Sequence, residues 1–185
     1  MHALELLLGR TSVSRLCEPA PTEQQLEIMY RAALRAPDHG QIRPWRFLTI
    51  AGEGRKELGE IYAGALLQQN PAASDEQLKR MRSMPLRAPM LLVVIACVQQ
   101  HPKVPEYEQL IAAGCAAHGL LLAAQAQGLG AFWRSGEMTD NTHVASQLGL
   151  TANERVIGYV YVGTPAAPVK TAAGLLPQDY VRNWP

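Results

Sequence analysis

The sequence predicts a mixed domain of helices and strands built around a buried sheet. Three observations carry this. Met90 to Cys97 is an unbroken apolar run of strand length, rich in β-branched residues and preceded by Pro89. A run without alternation is buried on both faces, as in a central strand. Two further strand-like segments, Arg46–Ala51 and Arg155–Val162, lie on either side of it in the chain. Stretches of helix length separate all three, so helices and strands interleave.

Ala3 to Leu8 opens the chain as a short helix with Leu4, Leu7 and Leu8 at helical spacing. It runs into Gly9-Arg10-Thr11-Ser12-Val13-Ser14-Arg15. Two arginines and three hydroxyls there supply the donors and permanent charge that a phosphate monoester needs. The same residues also suit a solvated turn. After the extended Glu18-Pro19-Ala20-Pro21, Thr22 and Gln25 form a capping box that starts a helix to about Leu34. Leu26, Met29, Tyr30 and Ala33 are its buried stripe.

That helix ends in Arg35-Ala36-Pro37-Asp38-His39-Gly40-Gln41-Ile42-Arg43-Pro44-Trp45, around which the chain is organised. Its prolines and glycine stop the helix, and its polar residues form either a stiff, donor-rich turn suited to a planar polar ligand or a helix-to-strand connection whose polar groups face water. Strand Arg46–Ala51 follows, then a helix over Arg55–Gln69 with Leu58, Ile61, Tyr62, Ala65 and Leu66 on one face. Asn70-Pro71 breaks it. A charged helix over Ser74–Met81, capped by Ser74, reads as a mobile cover rather than core.

The loop from Gln99 to Pro105 holds His101, either a solvated histidine or a substrate contact. Glu106–Gln127 is the longest helix, crowded with Ala112, Ala113, Gly114, Ala116, Ala117 and Gly119. Such small residues let another backbone approach closely, so a partner is expected there, a second copy of the chain included. His118 reads as a packed or interface residue. Gly128 to Gly136 ends this helix and includes a short strand, Ala131–Trp133, followed by Arg134-Ser135-Gly136, a charge, a hydroxyl and an amide. A helix from Asn141 or Thr142 to Leu148 precedes the last strand. The tail from Thr164 lacks periodicity, but Leu175, Leu176, Tyr180, Val181 and Trp184 make it too apolar to stay free, so it is expected to dock.

Length and composition narrow the function. A chain of 185 residues, 48% apolar, fits one domain with a sizeable core. A net charge of +1 argues against nucleic-acid binding through a general basic field. Cys17, Cys97 and Cys115 are far apart and form no C-x-x-C, so neither a disulfide framework nor a metal site is expected. Residues 1–10 lack the pattern of a signal peptide. Leu110–Ala126 is interrupted by Cys115, His118 and Gln125 and is shorter than the roughly 20 residues of a membrane span. A cytoplasmic protein without a membrane partner is expected. There is no Walker motif, no G-x-S-x-G and no H-E-x-x-H, and the glycines of Gly128–Gly136 follow a helix rather than a strand. The three polar clusters, Arg10–Arg15, Arg35–Arg43 and Ala131–Gly136, contain no obvious nucleophile–base pair. They suit an anionic cofactor that carries the chemistry itself.

These clusters resemble motifs of the nitroreductase family of small flavin-dependent reductases, in its short members. The family's Arg-Arg-Ser-x-Arg stands here as Arg10-Thr11-Ser12-Val13-Ser14. Its Ala-Pro-Ser-x-x-Asn-x-Gln-Pro-Trp stands as Ala36-Pro37-Asp38-His39-Gly40-Gln41-Ile42-Arg43-Pro44-Trp45, and its Gly-x-Gly-x-x-Trp as Gly128-Leu129-Gly130-Ala131-Phe132-Trp133. The resemblance implies an α+β fold with a mixed sheet flanked by helices. It also implies an obligate homodimer with one FMN at each of two interface sites, the small-residue helix as dimer core, and a tail over residues 164–185 that adds a strand to the partner.

By the same resemblance, Arg10, Thr11 and Ser12 bind the FMN phosphate and ribityl chain. Arg35, His39 and Gln41 face the cofactor, Arg35 and His39 from the other subunit. The backbone of Ala131, Phe132 and Trp133 runs along the isoalloxazine, and Arg134 adds charge at the phosphate. The implied activity passes electrons from NADH or NADPH through the flavin to a nitroaromatic or quinone-like acceptor, with no side chain required as acid or base. The region Gln68–Arg87 and the His101 loop shape the substrate side. The alternative is an FMN-binding dimer of the same fold with another redox task or none. Thr11 and Ser14 replace residues that are often basic in the family, Gln41 replaces Asn and Arg43 replaces Gln. A flavin potential below that of typical members is therefore expected unless Arg35 or Arg43 compensates; an unshifted redox titration would contradict it.

Overall fold

A computed structural model describes residues 2–184. The helices are α1 (Ala3–Gly9), α2 (Glu23–Ala33), α3 (Gly54–Gln69), α4 (Asp75–Ser83), α5 (Glu106–Ala126) and α6 (Thr142–Gln147). The strands are β1 (Leu16–Cys17), β2 (Trp45–Ala51), β3 (Met90–Cys97), β4 (Gly130–Arg134) and β5 (Glu154–Pro165). The predicted elements are all present. β1 is additional, and two residues are too few to leave a periodic signal.

The caps follow the sequence. Thr22 Oγ1 accepts from the Gln25 amide at 3.2 Å, while Gln25 Oε1 accepts from the Thr22 amide at 2.9 Å. Ser74 and Gln77 repeat the arrangement at α4, and Asn141 Oδ1 accepts from the Val144 amide at α6. Each satisfies donors that a helix start leaves open.

β3 pairs with β2 on one side and β5 on the other, and β5 pairs with β4 along its other edge. β1 extends the end of β5, with Leu16 opposite Pro165. Every pairing is antiparallel, so the sheet made by one chain is not the mixed sheet that the resemblance implied. The connections explain it. Two helices, α3 and α4, separate β2 from β3, so the chain returns in the opposite direction beside β2.

β3 is buried on both faces, as its sequence requires. Leu92 and Val94 join the cluster under α2 and α5, with Met29, Leu120 and Val160. Leu91, Val93 and Ile95 join the cluster under α3 and α6, with Leu58, Tyr62, Val144 and Tyr159. Each such side chain contributes about 1.5–3 kcal/mol by leaving water.

α5 is long and apolar enough, with a mean hydropathy of 1.3, to cross a membrane by length and composition. Here its small residues serve the core of the same chain. A Cβ on Gly119 would lie 3.0 Å from the carbonyl oxygen of Ala32, so α2 and α5 touch backbone to backbone. The small-residue face predicted to meet a partner is thus filled within the chain. The face left open carries Ile111 and His118, both exposed. α4 buries no residue, as expected of a cover, yet it is closely seated. A Cβ on Gly59 of α3 would come within 2.5 Å of the Arg82 carbonyl oxygen.

Candidate functional site

The first polar cluster is a loop strung between three elements. Gln125 of α5 grips it at both atoms of its amide: Nε2 donates to the Gly9 carbonyl at 3.2 Å and Oε1 accepts from the Thr11 amide at 3.1 Å. The Val13 amide donates to the Ala131 carbonyl of β4 at 2.9 Å, and the Ala166 amide to the Arg15 carbonyl at 3.0 Å. Arg10 Nη1 and Thr11 Oγ1 are buried with no hydrogen-bond partner among the described residues. Buried donors are rarely left so without a ligand or water to meet them. Ser12, Ser14 and Arg15 line a cavity of about 430 Å³ closed on the other side by residues 167–170, Lys170 included.

The second cluster is a strained turn. Gly40, Gln41 and Arg43 all have left-handed backbones, with φ of 73°, 53° and 51°. For two residues with side chains this costs energy, and surrounding contacts must hold it. Asp38 does so, accepting from the Arg43 amide through Oδ2 at 2.7 Å. Gln99 Nε2 donates to the Ile42 carbonyl at 2.9 Å. Asp38 Oδ1 is buried and unpartnered among the described residues. His39 Nδ1 lies 2.7 Å from Glu108 Oε2 of α5, and that hydrogen bond is the main cause holding the Glu108 carboxyl below its ordinary value. Arg35, Asp38, Gln41 and Arg43 line a cavity of about 590 Å³.

The third cluster sits where β4 leaves the sheet. Trp133 Nε1 donates to the Ile157 carbonyl at 3.3 Å, and its ring lies where a Cβ on Gly158 would be. The Arg134 guanidinium lies over the Phe132 ring at 4.1 Å and faces the Tyr161 ring at 5.4 Å. Its Nε is buried without a partner among the described residues. Burial, then the neighbouring charge of Arg87, lowers the Arg134 pKa, while burial raises that of Tyr161. These residues line a cleft of about 430 Å³ with Arg80, Arg87 and Met84.

One chain therefore joins the first and third clusters through the Val13–Ala131 hydrogen bond. That bond brings the loop of Arg10, Thr11 and Ser12 to the strand of Ala131, Phe132 and Trp133. Arg35 and Gln41 lie apart, since their cavity shares no lining residue with the other two, and His39 lies outside all three cavities, paired with Glu108. Arg134 lines the aromatic cleft rather than the cavity of Ser12 and Arg15. His101 is exposed, with its Cε1 3.9 Å from where a Gly40 Cβ would be. Sequence reasoning missed Tyr159 and Tyr161, although their spacing of two in a strand places both on one face. It missed Glu108 and Gln125 because their partners are 69 and 114 residues away.

The model of the nitroreductase family matches residues 7–164, most of the chain. This chain belongs to the nitroreductase family. It is 42% identical over 175 residues to the "Putative NAD(P)H nitroreductase YdjA" of Escherichia coli K12, covering 93% of each chain. It is 39% identical over 165 residues to a "Putative NAD(P)H nitroreductase" of Haemophilus influenzae, covering 89% of each. Among solved structures, a nitroreductase-like family protein from Bacillus cereus matches with a TM-score of 0.86 at 22% identity, over all of this chain and 96% of that one. A nitroreductase with bound FMN from Bacteroides fragilis matches over the full length of both, with a TM-score of 0.75 at 21% identity. The nitroreductase-like α+β fold is thereby established.

Proposed function

We propose that this nitroreductase family member is an FMN-dependent NAD(P)H oxidoreductase working as a homodimer. The observation that carries the reading is the loop of the first cluster fastened to β4, with Arg10 Nη1 and Thr11 Oγ1 buried and unpartnered among the described residues. Both are donors suited to phosphate and hydroxyl oxygens. The family match and the names of the two relatives support it.

Bound FMN would supply the redox chemistry, moving two electrons from NADH or NADPH to a nitroaromatic or quinone-like acceptor. Arg10, Thr11 and Ser12 hold its phosphate and ribityl chain. The backbone of Ala131, Phe132 and Trp133 supports the ring plane, and its rigidity comes from Trp133, pinned on Ile157 and Gly158. Arg35, His39 and Gln41 complete the site from the second subunit. Their strained turn presents the buried, unpartnered oxygen of Asp38 as an acceptor. The chain's part is position, charge and exclusion of water.

The dimer is supported by apolar surface left uncovered in one chain. Leu4, Leu7 and Leu8 of α1, Ile111 of α5, and Leu175, Tyr180 and Trp184 of the tail are all exposed. So much exposed apolar side chain favours burial against a partner. The tail beyond the end of β5 docks on that partner, and the chain is one domain.

An anaerobic absorbance spectrum tests the activity. Purified protein supplied with FMN is expected to show a flavin spectrum that NADH or NADPH bleaches. A flavin that stays oxidised would leave a flavin-binding protein without this donor chemistry. No flavin uptake would overturn the cofactor site.

A further inference from the structure

The aromatic cleft beyond β4 has a charge pattern that the cofactor reading does not use. Arg80, Arg87 and Arg134 line it, against a single carboxylate, that of Glu137. None of the three arginines makes an ion pair among the described residues. Arg87 is close enough for its charge to act on Arg134. Two guanidinium groups facing one half-enclosed space repel each other, and an anion between them would relieve this.

Arg134 is also held in place. Its guanidinium rests on Phe132, and its Nε, buried, has no acceptor among the described residues. A planar fork fixed in this way suits a carboxylate, which it can bind through two parallel hydrogen bonds. Apart from Ser135 and Glu137, the remaining walls are apolar or aromatic, with Met81, Met84 and Met138 among them. Methionine adapts to flat aromatic bodies. A volume of about 430 Å³ takes one small aromatic molecule. A bare inorganic anion would leave the methionines without a partner.

We propose that this cleft is the acceptor subsite and selects a flat aromatic acid, its ring against Met81, Met84 and Met138 and its carboxylate between Arg87 and Arg134. Placing an electron acceptor here rests on the oxidoreductase reading, but binding of the acid is a separate property and is measured separately. The assignment moves Arg134 from the cofactor phosphate to the substrate.

The test is calorimetric titration of FMN-loaded, oxidised protein, with no nicotinamide present, by 4-nitrobenzoate and by the neutral 4-nitrobenzamide. The acid is expected to bind at least about tenfold more tightly, as charge-assisted hydrogen bonds allow. That advantage should shrink with added salt. Arg87→Gln should abolish the advantage without changing FMN affinity, and Arg87→Lys should keep part of it, having the charge without the fork. Arg87 is exposed, so the variant should fold, which circular dichroism verifies. Equal binding of acid and amide would overturn the proposal. So would an Arg87→Gln variant that loses FMN, because the arginines would then belong to the cofactor. A protein that takes up no FMN would overturn the flavin reading instead, while the preference for acid over amide can still be measured in its absence.

Discussion

Glu154 carries a bidentate ion pair, the most buried among the described residues. Its carboxylate takes two hydrogen bonds from Arg46, one from Nε at 2.5 Å and one from Nη2 at 2.8 Å, and a third from the Thr151 amide at 2.9 Å. Arg46 is the main cause holding the Glu154 carboxyl down at about 2, from an ordinary 4.5. Burial pushes the neighbouring Cys97 thiol up to about 11, so it is a neutral donor to Glu154. A depressed carboxyl stabilises the fold above its unfolded value, and that contribution is lost as pH falls through the folded one. Urea denaturation should therefore show stability declining between about pH 4.5 and 2. Glu154→Gln should flatten that decline and lower stability at pH 7 by about 1–3 kcal/mol, because Arg46 loses its partner. A second residue-scale effect concerns Gly158. An added Cβ would collide with Trp133 Nε1. Gly158→Ala should displace the indole, cost about 1–3 kcal/mol by overpacking, and alter tryptophan fluorescence. A melt and spectrum like those of the wild type would contradict this placement of Trp133.

Among the elements, α3 and α4 are joined by backbone approach more than by buried side chains. Arg82 Nε donates to Glu60 at 2.8 Å, but this pair is exposed and contributes little. Gly59 is what allows the approach. Gly59→Ala should push α4 away, raising hydrogen exchange over residues 75–83 while β3 stays protected. Unchanged exchange in α4 would show that the helix is held some other way. Since Arg80 and Met81 come from α4, the same variant should weaken ligand binding in the cleft. The capping box of α2 is a smaller contribution: Thr22→Ala should cost about 1 kcal/mol in denaturant unfolding. α2 delivers the chain into the strained turn, so its start and its buried stripe set where Arg35 begins.

For the whole molecule, the exposed tail makes a clear prediction. Trp184 is 94% exposed and Tyr180 72% exposed in the single chain. If the tail docks on a second copy, the intact protein sediments at twice the chain mass. Removing residues 167–185 should weaken that dimer and lower FMN affinity, because the Ser12 cavity loses the wall that contains Lys170. A truncated protein that dimerises and binds FMN like the intact one would remove the tail from the site.

Much of this architecture was legible in the sequence because its signals are local. Capping boxes at Thr22 and Ser74 act over three residues, and the unbroken run of β3 could satisfy its apolar groups only between two layers. The three polar clusters were likewise readable, because prolines, glycines and arginines crowd into short stretches. What the sequence could not determine was how those stretches meet. Gln125 holding Thr11, Glu108 facing His39, and Arg87 beside Arg134 each link distant parts of the chain. α5 shows the limit most plainly. Its composition announced a close approach but not to what, because small residues favour any backbone equally. Packing of α2 against Gly119 decided that question, and with it which face of α5 remains open.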